Sequence, residues 1–228
     1  ASKELEEFVH ILQQEGVKVV RPRADIDYGK SFTTPDWSSS GGLYAAMPRD
    51  ILLIMGDEII EAPMSWRSRY FEVYAYRDLI QDYFSRGAKW TCAPKPQLTD
   101  ELYHQDHIIA EEQEKIEYVL TEAEPVFDAA DFMRCGKHIL YQLSNVTNQA
   151  GVKWLQSHLG EEYEFVFIEG TDSKAMHIDV VLMPLAPGKI LVNPDRVREM
   201  PALFKGWDIF HTPPHHVPED YLLYMSSP

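Results

Sequence analysis

One unit recurs along this chain and limits its fold more than any single motif does: an apolar run, a glycine turn, a second apolar run, a helical stretch and a closing apolar run. A unit of this kind cannot bury its apolar faces alone, so the copies must pack against one another. In the first copy residues 50–55 run apolar, Gly56 and Asp57 turn the chain, and residues 58–62 return toward Pro63. Residues 68–84 then place Tyr70, Phe71, Tyr74, Leu79, Ile80 and Tyr83 near helical spacing, Gly87 ends the helix, and residues 88–92 form a closing strand. The second copy has a hairpin from Asp131 to Gln142 turning at residues 135–137, a helix over 148–159 stopped by Gly160, and a strand over 164–168. The third runs from His177 to Met183, turns at Pro187 and Gly188, returns over 189–192, opens a helix with Asn193, Pro194 and Asp195, and closes over 207–211. Half a copy precedes them, with a helix over 4–14 carrying Leu5, Phe8, Val9 and Leu12 on one face and a strand over 17–20.

The turn glycines Gly56, Gly136 and Gly188 stand about 80 and 52 residues apart. Such spacing suits related modules with insertions in a propeller-like arrangement, about three and a half of them, and not a strict solenoid. Residues 94–124 are the main insertion, polar and acidic, expected as a surface loop with a little helix. The same element order also permits an α/β sandwich with mixed sheets, since chain order alone does not fix strand pairing.

Hydrophobic residues make up 45% of the 228, enough for a sizeable core. Asp plus Glu total 36 against 21 Lys plus Arg, a formal net charge of -15 that repels phosphate backbones and anionic membrane surfaces. Nucleic acid is therefore not an expected partner. Cys92 and Cys135, the two cysteines, lack metal-ligand spacing and suit a reducing compartment, so a cytoplasmic location without a metal site is expected. No signal-peptide pattern and no run of 18 apolar residues occurs, so membrane insertion is not expected. The chain begins without Met and in mid-pattern, which suggests a longer N-terminus; residues 1–228 are read as a single domain incomplete at both ends.

Acids sit where the hairpins begin: Asp50, then Asp128 and Asp131, then Asp179. Modules set around an axis would bring these positions together, and converging carboxylates need a cation, for which a planar guanidinium with its forked donors is well suited. The competing reading is that each Asp caps its own turn, as Asp commonly does. His177 opens a run in which strand alternation would put His177, Asp179 and Val181 on one face. A His with an acid beside it is the usual unit for proton transfer near neutral pH.

The segments Gly42 to Asp50, Gly56 to Met64, Phe127 to Phe132, Met176 to Asp179 and Asn193 to Arg196, in this order, resemble the glycine amidinotransferase family. The resemblance runs from about Gly41 to Ser227 and includes Arg86 to Trp90 and Ala93 to Pro96. It implies a pseudo-fivefold α/β propeller of ββαβ modules and a ping-pong reaction. A cysteine thiolate attacks the guanidino carbon of arginine, ornithine leaves, and an amine acceptor takes up the amidino group. Carried onto matching positions, it implies His177 as proton donor and later base, with Asp128 orienting it. Asp50 and Asp179 would grip the guanidinium, Arg196 the substrate carboxylate, and Tyr44 and Met176 would line the cleft. It also implies a homodimer with small-molecule substrates and no cofactor. The family's nucleophile lies in a Gly-rich, His-Cys-containing segment near the C-terminus, which this chain, ending at Pro228, does not reach; neither cysteine present matches it, so the chain by itself is not expected to transfer amidino groups. An arginine-binding scaffold without chemistry and a guanidino hydrolase are the alternative readings.

Overall fold

A computed structural model describes residues 2–27, 29–40, 45–107, 116–171 and 173–213. Helix α1 (Ser2–Gln14) leads to a short antiparallel pair, β1 (Phe32–Thr33) and β2 (Ser38–Ser39). The single turn α2 (Pro48–Ile51), started by its proline, feeds β3 (Leu52–Met55). Next come β4 (Glu58–Glu61), α3 (Arg77–Ser85) and β5 (Lys89–Cys92). The second unit is β6 (Phe132–Cys135), β7 (His138–Tyr141), α4 (Gln149–Leu159) and β8 (Glu164–Phe167). The third is β9 (Leu182–Ala186), β10 (Lys189–Val192) and β11 (Asp208–His211).

Each unit makes its own three-stranded sheet with the same pairing. The hairpin strands run antiparallel, and the crossover returns the third strand parallel to the second, so β4, β7 and β10 are central. Every hairpin turns on a glycine at positive φ, 61° at Gly56, 65° at Gly136 and 77° at Gly188, where a side chain would be strained. Among the described residues the sheets remain separate and do not close into a barrel.

One core joins the first two units through Ile51, Ile60, Ile80, Phe127, Ile139 and Leu155, all fully buried. A second lies under the third unit around Ile178 and Ile190 and includes Leu140 of β7. Residues 94–124 are more than the polar surface loop expected. Leu98, Leu102 and Leu120 pack with Trp37 and Val126 in a third cluster, because apolar residues anchor an otherwise acidic segment.

Several expected elements take other forms. Residues 68–84 are not one helix: 3-10 turns at Arg67–Arg69 and Glu72–Tyr76 precede α3. The tighter pitch sets i and i+3 over each other, and Arg69 pairs with Glu72 at that spacing inside the protein. Asn193, Pro194 and Asp195 open a turn and no α-helix, since Pro201 soon follows and the only helical piece there is the 3-10 turn Ala202–Phe204. Residues 177–181 are not strand either. His177 immediately precedes a 3-10 turn, Ile178–Val180, and β9 starts after it. Residues 17–20 form no strand, and the apolar face of α1 stays open, with Leu5 61% and Phe8 58% exposed. No helix among the described residues is long and apolar enough to cross a membrane.

Candidate active site

A single helical turn precedes each hairpin, and these three turns pack against one another. They are α2, the 3-10 turn Ala129–Asp131 and the 3-10 turn Ile178–Val180. Hydrogen bonds from Ala62 N to Ile51 O, Gln142 N to Asp131 O and Asn193 N to Val181 O close the hairpins at equivalent points. Relative to those points the acids are not at one repeated position. Asp50 lies one residue before, Asp179 two before and Asp128 three before, so a shared scaffold presents its carboxylates from different angles.

The segment bearing Asp128 is fixed by the start of α4. Asn148, the N-cap, accepts from Gly151 N and from Val126 N, while its own N donates to Val126 O. Thr147 Oγ1 accepts from Asp128 N. Gly151 permits this approach: a Cβ there would lie 2.3 Å from Val126 O.

With its backbone held, Asp128 has no cap to make and is turned inward. Its Oδ2 accepts from His177 Nε2 at 3.2 Å and from Arg69 Nη1 at 3.4 Å. His177 Nδ1 lies 3.8 Å from Asp50 Oδ1, and Asp50 Oδ2 accepts from Arg69 Nη1 at 2.9 Å. Arg69 Nε donates to Glu72, which is fully buried. Local capping therefore does not explain Asp50 or Asp128. Asp131 is the local one: its two oxygens accept from Gln142 Nε2 and Ser144 Oγ behind the site.

Burial pulls the His177 pKa down, but the hydrogen bond to Asp128 and the charges of Asp50, Asp128 and Asp131 outweigh it, so the imidazole stays protonated to higher pH than usual. With Nε2–H donated to Asp128, a proton on Nδ1 also removes a lone-pair clash with Asp50. Complete burial raises Asp128 above the ordinary carboxylate range against the pull of His177 and Arg69. Burial likewise pushes Asp131 up to about 7, opposed by its bonds to Ser144 and Thr147.

The cluster floors an open cleft of about 660 Å³ whose lining includes Arg49, Asp50, Trp66, Arg69, Met176, His177 and Asp179. At its rim Asp179 pairs with Arg49 at 2.9 Å, both partly exposed. Thus Asp50, Asp128, His177, Asp179 and Met176 come together, although His177 and Asp179 do so across a 3-10 turn and not by strand alternation. Arg196 is half-buried in the turn after β10, its N donating to Asn193 O, and is not among the cleft-lining residues. Tyr44 lies outside the described residues. Asp50, Asp128 and His177 present ligand atoms within 4.8 Å of one another, as a metal site would, but Arg69 already supplies the cation to both carboxylates. Sequence reasoning missed Arg69. The available signal was an arginine entering an aromatic run, Tyr70, Phe71 and Tyr74, where a charge needs a buried partner.

The chain is 52% identical over 227 residues to the L-arginine:L-lysine amidinotransferase of Pseudomonas savastanoi pv. phaseolicola, across 100% of this chain and 62% of that protein. Over its whole length the chain is thus similar to amidinotransferases. It is 50% identical over 235 residues to the mitochondrial glycine amidinotransferase of Xenopus tropicalis, across 100% of this chain and 55% of that protein. A solved amidinotransferase from Microseira wollei, of the saxitoxin biosynthetic pathway, superposes with a TM-score of 0.91 at 54% identity, covering 96% of this chain and 62% of that one. No family model matches the chain. The chain thus spans between half and two thirds of the length of these amidinotransferases.

Proposed function

We propose that the complete protein transfers the amidino group of arginine to an amine acceptor, glycine or a related amine. The observation that carries this reading is the convergence of Asp50, Asp128 and His177 on the floor of a cleft that Asp179 rims. The names of the relatives point the same way.

In this reading the guanidinium of arginine lies between Asp50 and Asp179, displacing Arg49 from the latter. A cysteine thiolate, supplied by a segment the family has beyond the matched residues, bonds to the guanidino carbon. The bond from that carbon to Nε breaks, and protonated His177, held by Asp128, gives its proton to the departing amine of ornithine. The acceptor amine then attacks the same carbon, His177 takes its proton, and the thiolate leaves. Arg196 holds the substrate carboxylate, and Tyr44 and Met176 line the cleft. The same proposal includes one domain over 1–228, modules set around a common axis as a propeller, a homodimer and a cytoplasmic location.

The test is to incubate the complete protein with arginine and a panel of amines, including glycine, lysine and aminocyclitols, and to follow products by mass spectrometry. Equimolar ornithine and one guanidino product are expected. Citrulline with ammonia would replace transfer by hydrolysis, and arginine binding without turnover would leave only the scaffold reading.

A further inference from the structure

The acid cluster holds its own guanidinium, and this changes what the substrate is needed for. Converging carboxylates would otherwise require bound arginine to relieve their repulsion. Arg69 itself does so. Its side chain is 8% exposed, Nη1 bridges Asp50 and Asp128, and Nε reaches Glu72 at the far end. Three acids (Asp50, Glu72 and Asp128) face one arginine and one histidine, with Asp131 behind them bonded to Gln142 and Ser144. At the rim Arg49 and Asp179 add one charge of each sign. The floor therefore remains acid-rich with Arg69 in place, so it still attracts a cationic ligand, and loses its one permanent internal cation without it.

Geometry adds a second point. Because Arg69 holds Oδ2 of both carboxylates, it fixes the rotation of each. Asp50 is left turning Oδ1 toward His177, and Asp128 keeps Oδ2 in reach of Nε2. A lysine in its place would keep the charge but not the fork.

We propose that Arg69 is a positioning residue, which sets the charge balance of the Asp50, Asp128 and His177 cluster and aims both carboxylates. This rests on the amidino-transfer reading for its catalytic consequence but not for its electrostatic one. Removing the cation makes every nearby proton harder to lose, so the His177 titration midpoint moves up in Arg69→Met. Removing an anion acts oppositely, so the midpoint moves down in Glu72→Gln. Arg69→Lys leaves it near the original value.

The experiment is an NMR pH titration of the His177 imidazole in the complete protein, the signal assigned by its loss in His177→Gln, alongside kcat and KM for arginine. Expected are an upward shift of about one pH unit in Arg69→Met, a smaller downward shift in Glu72→Gln, and a kcat loss of roughly 10²-fold in Arg69→Lys without a shift. Unmoved midpoints in both charge-changing variants overturn the electrostatic claim, and full kcat in Arg69→Lys overturns the aiming claim. If Arg69→Met does not fold, the opposite sign expected of Glu72→Gln still decides the first. If the wild-type protein transfers no amidino group while the midpoints move as stated, the function fails and the electrostatic role of Arg69 stands.

Discussion

Asp131→Asn should change how stability depends on pH, with a sign that follows from burial. Asp131 is fully buried, and its carboxyl is pushed from the ordinary 3.8 up to about 7 chiefly by that burial. The folded protein therefore keeps this proton over a range in which the unfolded chain has already released it. Because the folded pKa lies above the unfolded one, the stabilisation is complete below about pH 4 and is lost as pH rises to about 7. The limiting slope is about 1.4 kcal/mol per pH unit. Between about pH 4.5 and about pH 6.5 that gives a ceiling of about 3 kcal/mol, which relaxation of the site and residual unfolded-state structure reduce to about 2. Asn retains the shape, accepts from Gln142 Nε2 through its oxygen and turns its amide toward Ser144 Oγ, but cannot titrate. Urea unfolding followed by circular dichroism across that range should show the wild-type midpoint falling relative to that of the variant as pH rises, from near equality where both side chains are neutral. A constant difference would refute a raised Asp131 carboxyl, and a difference that moves in favour of the wild type with rising pH would mean that the buried group is ionised throughout.

Two further expectations concern the site and its support. His177→Gln in the complete protein should lower kcat by about 10² to 10⁴ while changing KM for arginine much less, and a change confined to KM would remove it from proton transfer. Its raised pKa places the loss of the protonated donor in the wild type above the ordinary histidine range, so activity should fall as pH rises through that value. Gly151→Ala should gain up to about 1 kcal/mol of helix propensity. Against that, its Cβ would meet Val126 O at 2.3 Å, an overpacking that costs about 1 to 3 kcal/mol. A lower melting temperature accompanied by reduced kcat is expected, because Asp128 follows Val126; a raised melting temperature would show that α4 is free to move away.

The three sheets were legible because each hairpin carries its own punctuation. Apolar runs on either side of Gly56, Gly136 and Gly188 set strands that lie within two residues of their expected positions, except β9. What failed depended on neighbours. Residues 68–84 have helical periodicity, yet Arg69 and Glu72 must point into the acid cluster, and two 3-10 turns satisfy that demand where a continuous helix does not. Residues 17–20 read as a strand from composition, but a strand needs an edge to pair with, and no described edge meets it.

The clustering of the acids and the histidine at the candidate site was legible for a different reason. Turns at hairpin starts recur in the sequence, and any packing that brings the turns together brings Asp50, Asp128 and Asp179 with them, even though each uses a different position of its turn. The counter-charge had no such register. Arg69 comes from the connection after β4, outside the repeated turns, and nothing in its spacing ties it to Asp128. Charge balance alone required a cation somewhere near converging acids, and the sequence reading assigned that role to the ligand. The buried arginine takes that role instead and leaves the ligand a different one. On the proposed reading, an incoming guanidinium meets a cluster already partly neutralised, so its binding is expected to draw on Asp179 at the rim and the remaining acid excess at the floor, with little reorganisation of His177 and Asp128.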